Sequence, residues 1–320
     1  MQIQPKKPTH FTLDNAVLFL YLNQKSVTSL LFWKSLMGTR ITIADLAAAK
    51  AAGRKITAVS CYDYTTAQFA VQAGVDMILV GDSAAQVMLG FDSTLPATMD
   101  FMVAITAAVR RGAPNVCLAA DMPFLSYQTG LADAVKNAGR FAVEAGAQII
   151  KIEASGAYLE TIKAVSDAGM AVMAHIGIRP QSIGKTGKFK AEATTAQMGL
   201  ELISLAEQMV NSGASLLLVE GAAAEVAEII TNRSEVPVIG CGAGPGCDGQ
   251  VLIAPDILGL MQGPSPKFAK SYGNLADAAI EAFRQYSSEV KDGQYPDKEH
   301  SYHMKTGEIE QLKGLLKEKL

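Results

Sequence analysis

Five ionisable side chains stand where apolar runs break off, and a sixth lies within one of those runs. Asp82 follows Met77-Ile78-Leu79-Val80-Gly81, and Asp121 follows Val116-Cys117-Leu118-Ala119-Ala120. Lys151 lies inside Ile149-Ile150-Lys151-Ile152 and Glu153 ends it, His175 ends Ala171-Val172-Met173-Ala174, and Glu220 ends Leu216-Leu217-Leu218-Val219. Asp82, Asp121 and Glu153 gathered on one rim cannot all be ionised without a cation. An all-oxygen set with room for water suits Mg²⁺, so these three are the candidate metal ligands. Taken singly, each carboxylate could equally cap a helix or pair with a base; three in register favour the cation.

Lys151 sits two residues before Glu153 and therefore shares its face of a strand. Isoleucines surround it, so it is not a side chain reaching along the surface for water. It can balance the carboxylates, bind an anionic substrate or form a Schiff base. His175 can orient a carboxylate or donate to an oxygen, although a lone histidine is more often structural. Glu220 is the candidate general base. Gly242-Ala243-Gly244-Pro245-Gly246 lacks the Gly-Lys-Ser/Thr of a phosphate loop and reads as a tight turn, with a phosphate-binding isomerase as the reading it would otherwise support.

These residues need elements to present them. Apolar runs without alternation suit strands buried on both faces, and parallel α/β folds bind ligands at the carboxyl ends of their strands. Strands are predicted over 56–60, 77–80, 116–120, 149–152, 171–174, 215–219 and 237–240, with a short eighth over 256–260. Helices are predicted between them, several stopped by glycine: 43–52, 65–73, 99–111, 131–145, 157–168, 197–211, 223–232 and 275–290. Strands alternating with helices imply βαβ units, and eight units at this length fit a (β/α)8 TIM barrel. A doubly wound sheet would want a glycine-rich fingerprint after its first strand, where this chain has Cys61-Tyr62-Asp63-Tyr64.

Composition sets the outer limits. The 320 residues are 49% hydrophobic and 18% charged, which excludes disorder, and a net charge of −3 gives no case for nucleic acid or an anionic membrane. Cys61, Cys117, Cys241 and Cys247 form no CxxC pair and read as reduced thiols of a cytoplasmic protein. Residues 1–37 read as an appended segment, a surface helix or a non-native leader, with Met37 as a candidate ancestral start. Their apolar runs 16–22 and 29–33 are too short to span a bilayer. The barrel is expected over 38–303. Residues 304–320 follow as an amphipathic helical extension, with Ile309, Leu312, Leu315, Leu316 and Leu320 on one stripe.

The ordered motifs carry a likeness as well. They are Val80-Gly81-Asp82-Ser83, Asp92-Ser93-Thr94-Leu95-Pro96, Arg110-Arg111-Gly112-Ala113-Pro114, Ala120-Asp121-Met122-Pro123-Phe124, Lys151-Ile152-Glu153, His175-Ile176-Gly177, Pro180-Gln181-Ser182, Pro266-Lys267-Phe268, and the tail from Tyr295-Pro296 to His303. Over about residues 40 to 303 the chain resembles the ketopantoate hydroxymethyltransferase family of the phosphoenolpyruvate mutase and isocitrate lyase superfamily. The resemblance implies a cytoplasmic homo-oligomer, a decamer in many members. It would use Mg²⁺ and 5,10-methylenetetrahydrofolate to hydroxymethylate 3-methyl-2-oxobutanoate through a metal-stabilised enolate, in pantothenate and coenzyme A biosynthesis.

By motif, Asp82 and Asp121 would hold the metal, with Glu153 directly or through water. Asp82, Ser83, Asp121 and Lys151 would contact the 2-oxo acid, and Glu220 would accept the proton. Three stretches differ from the family's usual pattern: Ala84-Ala85-Gln86, Leu89-Gly90-Phe91 and residues 187–193. They keep open C–C bond chemistry on another 2-oxo acid. A non-catalytic barrel scaffold is the alternative from another class, and it predicts loss of strand-end residues that are all present here.

Overall fold

The computed structural model describes residues 38–187, 190–263 and 266–318, so the appended segment expected at 1–37 lies outside the described residues. The eight parallel strands are β1 (Ile56–Ser60), β2 (Met77–Val80), β3 (Cys117–Asp121), β4 (Ile149–Glu153), β5 (Ala171–Gly177), β6 (Ala214–Glu220), β7 (Val238–Cys241) and β8 (Gly249–Ile253). They run in sequence order around a closed barrel, and the β1–β8 ladder from Ile56↔Gly249 to Ser60↔Ile253 shuts it. The expected (β/α)8 architecture is therefore present.

The helices among residues 43–258 are α1 (Ile43–Ala51), α2 (Tyr64–Gln72), α3 (Ala84–Val87), α4 (Met99–Gly112), α5 (Leu131–Glu144), α6 (Leu159–Asp167), α7 (Ile183–Thr186), α8 (Ala196–Asn211), α9 (Ala224–Arg233) and the short α10 (Ala254–Leu258). Local chemistry starts them where they start. Thr42 and Asp45 form a reciprocal capping box on α1, and Asp63, Thr98 and Thr195 cap α2, α4 and α8 through their side-chain oxygens.

Side chains that alternate along each strand sort the barrel interior into layers. Ile56, Ala58, Met77, Leu79, Cys117, Ala119, Ile149, Met173, Leu216, Leu218, Ile239 and Val251 form one buried apolar cluster. The next inward position, two residues further on, is Asp121 after Ala119, Lys151 after Ile149, His175 after Met173, Glu220 after Leu218 and Cys241 after Ile239. Period two thus seals the lower barrel with hydrocarbon and sets a polar layer on top of it. The β5–β6 register slips between Val172 and Met173, so that Val172 pairs Ala214 while Met173 pairs Leu216. This bulge puts Glu220 opposite Gly177.

One expectation is corrected. The eighth strand is Gly249–Ile253, and residues 256–260, predicted as strand, begin inside α10, where Pro255 occupies a first-turn position that needs no N–H. The true strand hides behind the glycine-rich turn because its first residue must be glycine: a Cβ on Gly249 would lie 2.5 Å from the Ile56 carbonyl oxygen. The Gly242–Gly246 stretch is a tight turn, as expected. Gly242 and Gly244 have φ of +63° and +79°, and Cβ atoms on them would meet the Phe268 ring and Ala224.

Among the described residues, contacts divide the chain into one unit of 38–257 with 266–270 and another of 258–263 with 271–318. The second unit carries α11 (Leu275–Lys291) and α12 (Glu308–Glu318). On α12 the apolar stripe foreseen in the sequence stays exposed at Ile309, Leu312, Leu315 and Leu316. No helix among the described residues is long and apolar enough to cross a membrane.

The outer helices pack through glycine at one point. A Cβ on Gly112, at the end of α4, would lie 2.3 Å from the Tyr64 carbonyl oxygen of α2, whereas one on Gly139, inside α5, would meet nothing within 4 Å. Gly112→Ala is expected to destabilise the protein by about 1–3 kcal/mol through overpacking. Gly139→Ala is expected to stabilise it by about 0.5–1 kcal/mol through helix propensity. Urea denaturation of the two variants checks this, and equal midpoints would remove the packing argument.

Candidate active site

A cavity of about 380 Å³ opens at the carboxyl ends of the strands. Asp82, Ser83, Asp121, Lys151, His175 and Glu220 line it together with Leu79, Leu218, Cys241, Val251 and Phe268. A cleft of similar volume between α8 and α9, about 370 Å³, carries none of these strand-end groups.

At its floor the Lys151 ammonium lies 2.5 Å from Asp121 Oδ2, both side chains almost wholly buried. The same oxygen accepts from the Asp82 main-chain N–H at 3.3 Å, while Asp121 Oδ1 is buried with no hydrogen-bond partner. Burial alone would push the Lys151 pKa down, but Asp121, Asp82 and Glu153 outweigh it and hold the ammonium charged. A buried pair of this kind is weak evidence for stability, because desolvation offsets most of the attraction. Its worth is as a fixed charge in the wall of the cavity.

The other two carboxylates show the strain of being crowded. Burial, then the charge of Asp121, raises the Asp82 pKa to about 7. Burial also raises Glu153, to about 9, with Lys151 opposing and Asp82 and Asp121 adding to the rise. Glu153 is 3% exposed and does not line the cavity; both its oxygens accept from the Gln181 main-chain N–H, at 3.0 and 3.2 Å.

Across the mouth, His175 Nε2 lies 3.2 Å from Glu220 Oε2, but neither ring nitrogen is aligned for a hydrogen bond. Burial and then the Lys151 charge lower the His175 pKa, so the ring is neutral near pH 7. Glu220, with its side chain 21% exposed, is the most open of these groups. Its placement rests on glycine: Gly177 has φ +90°, and a Cβ there would lie 2.2 Å from the Glu220 carbonyl oxygen. Ser83 makes no side-chain cap on the short α3, and its hydroxyl lies 2.8 Å from that of Tyr62.

The structure thus brings Asp82, Ser83, Asp121, Lys151, His175 and Glu220 to one cavity and turns Glu153 away from it. Among the described residues, no group of three His, Cys, Asp or Glu side chains is arranged to hold a metal ion. A pair of carboxylates remains, with one buried oxygen lacking a partner. Mg²⁺, which keeps several waters and binds through one or two carboxylates, fits that pair. Glu153 would act at one remove.

Sequence reading gave no role to Gln181, Tyr127 or Thr94. Thr94 lines the cavity and its buried hydroxyl has no partner, while Tyr127 donates to Gln181 Oε1 at 2.8 Å. Gln181 is uncharged and four residues beyond the end of β5, so only its place in Pro180-Gln181-Ser182 marked it.

The sequence profile of the family described as ketopantoate hydroxymethyltransferase matches residues 40–298. The 3-methyl-2-oxobutanoate hydroxymethyltransferase of Moorella thermoacetica is 46% identical over 264 residues, covering 82% of this chain and 98% of its own. The protein so named in Geobacter metallireducens is 45% identical over 266 residues, covering 83% and 100%. Among solved structures, 2,3-dimethylmalate lyase, described as a PEP mutase/isocitrate lyase superfamily member, aligns with a TM-score of 0.53 at 18% identity over 81% of this chain and 91% of its own. Phosphoenolpyruvate phosphomutase from Streptomyces platensis subsp. rosaceus aligns at 0.54 and 17%, over 87% and 97%, a likeness of fold. The chain belongs to the ketopantoate hydroxymethyltransferase family.

Proposed function

We propose that this protein transfers a hydroxymethyl group from 5,10-methylenetetrahydrofolate to C3 of 3-methyl-2-oxobutanoate, giving ketopantoate for pantothenate biosynthesis in the cytoplasm. One observation carries the proposal. A carboxylate, Glu220, lines the same cavity as a charged Lys151 and two buried acidic groups, Asp82 and Asp121. That is the arrangement needed to take a proton from carbon beside a carbonyl and to hold the charge left behind.

Asp82 and Asp121 would hold a divalent ion, Mg²⁺ on the donor set, which supplies Lewis acidity toward the paired oxygens of a 2-oxo acid. Lys151, locked by Asp121, is placed to stabilise negative charge developing on the 2-oxo oxygen. Ser83, held by Tyr62, offers a hydroxyl to the substrate carboxylate. Glu220 accepts the C3 proton. His175, neutral and 3.2 Å from Glu220, adds no positive charge that would hold that carboxylate back from the proton. The C3 carbanion equivalent then attacks the one-carbon unit; one water is consumed and tetrahydrofolate leaves. Leu79, Leu218 and Val251 give the branched alkyl end an apolar wall and exclude water from the reacting carbon.

Exchange of the C3 proton with deuterated water separates the first step from the transfer. Glu220→Gln is expected to slow exchange and ketopantoate formation together by about 100- to 10,000-fold, with a much smaller change in KM for the 2-oxo acid. Product formation at an undiminished rate would remove Glu220 as the base.

The crowded carboxylates also set a pH dependence of stability. Between its ordinary 4.5 and about 9, folded Glu153 keeps a proton that the unfolded chain has released, and Asp82 does the same up to about 7. The unfolded state binds fewer protons in that window, so stability falls as pH rises through it. Chelator-treated protein should therefore melt at lower temperature near pH 9 than near pH 6. Excess Mg²⁺ should shrink the difference, since ion binding needs the carboxylates deprotonated. A melting temperature that rises with pH in chelator would contradict the assigned burial.

A further inference from the structure

We infer that Gln181 is a positioning residue, a neutral strut across the barrel mouth that fixes the carboxylate of Asp82 and the carboxylate of Glu153 at once. The inference rests on the proposed reading that Asp82 and Asp121 hold a divalent ion.

Gln181 is 5% exposed and sits in the 3₁₀ turn Pro180–Ser182, between β5 and α7. Its side-chain Nε2 donates to Asp82 Oδ2 and to the Met122 carbonyl, both at 2.9 Å. Its Oε1 accepts from the Tyr127 hydroxyl at 2.8 Å and from Gln128 Nε2 at 3.3 Å. A primary amide has two N–H donors and two lone pairs, and here all are used. Two acceptors face the nitrogen and two donors face the oxygen, so only one orientation of the amide satisfies the network. The main-chain N–H meanwhile donates to both oxygens of Glu153.

The strut reaches from the loop after β5 past β4 to β3 and β2, neither of which pairs with β5. β2 supplies Asp82, the β3 and β4 ends supply Met122 and Glu153, and the β5 loop supplies Gln181. No ladder hydrogen bond sets the rotation of Asp82, whose side chain lies beyond the end of β2, so a side chain from elsewhere must. An amide suits the task because it fixes a carboxylate without cancelling its charge. A lysine or arginine at this position would compete with the cation, and a glutamate would repel Asp82. Partners that orient metal ligands in this way are typically worth about 10- to 100-fold in metal affinity.

The test uses Mn²⁺ as the probe, followed by the free-ion EPR signal on the full chain without substrate, together with the Mg²⁺ concentration that half-activates ketopantoate formation. Gln181→Ala keeps the main-chain bond to Glu153 and loses the strut. It should weaken Mn²⁺ binding about 10- to 100-fold and raise the half-activating Mg²⁺ by a similar factor. Saturating Mg²⁺ should restore most of kcat. Gln181→Glu, equal in size, should weaken Mn²⁺ at least as much and serves if the alanine variant does not fold. A variant that folds and binds Mn²⁺ as tightly as the parent, with an unchanged Mg²⁺ requirement, overturns the role of Gln181 and leaves the metal reading standing. Failure of the parent protein itself to bind Mn²⁺ overturns both.

Discussion

Everything at the mouth of this barrel depends on one buried cation, the Lys151 ammonium, held among three acidic groups. Asp121 takes it directly, through the hydrogen-bonded ion pair between Lys151 Nζ and Asp121 Oδ2. Asp82 and Glu153, further from it, drift toward the neutral form. The crowding would be costly in any protein that did not use it. Hydrocarbon of similar volume would serve stability as well or better. The layer below confirms where stability is made: Ile149, two residues before Lys151 on the same face, belongs to the apolar cluster that plugs the barrel. Structure and chemistry thus divide within a single strand, one residue pair apart.

That division is also why so much was legible beforehand. A strand's side chains alternate strictly, so an apolar run ending in an ionisable residue declares both a buried strand and a polar group at its exit. The runs before Asp121, His175 and Glu220 follow that logic, and the barrel they imply is the one found. The eighth strand broke it. Gly249 gives no hydropathy signal, yet it must be glycine because β1 passes too close for a Cβ. A constraint imposed by a neighbouring backbone leaves no periodicity to read.

The site was less legible than the fold for a related reason. Spacing along β4 puts Lys151 and Glu153 on the same face but says nothing of depth or partner. Glu153 is turned by a main-chain N–H from a loop, an interaction with no side-chain signature at all. Gln181 itself is neutral and sits outside any strand, so charge and periodicity both miss it. What the sequence did convey about this turn came from the motif, not from physical pattern.

The hydrocarbon plug has a kinetic consequence. With the lower end of the barrel closed, the reaction chamber is a blind well with one entrance, and on the proposed chemistry a keto acid held between Lys151 and Glu220 lies deeper in it than the folate that delivers the one-carbon unit. On the proposed chemistry the small keto acid must arrive before the bulky folate, and ketopantoate cannot depart until tetrahydrofolate has cleared the way. Compulsory order of this sort needs no moving gate; it follows from which end of a cylinder is stoppered.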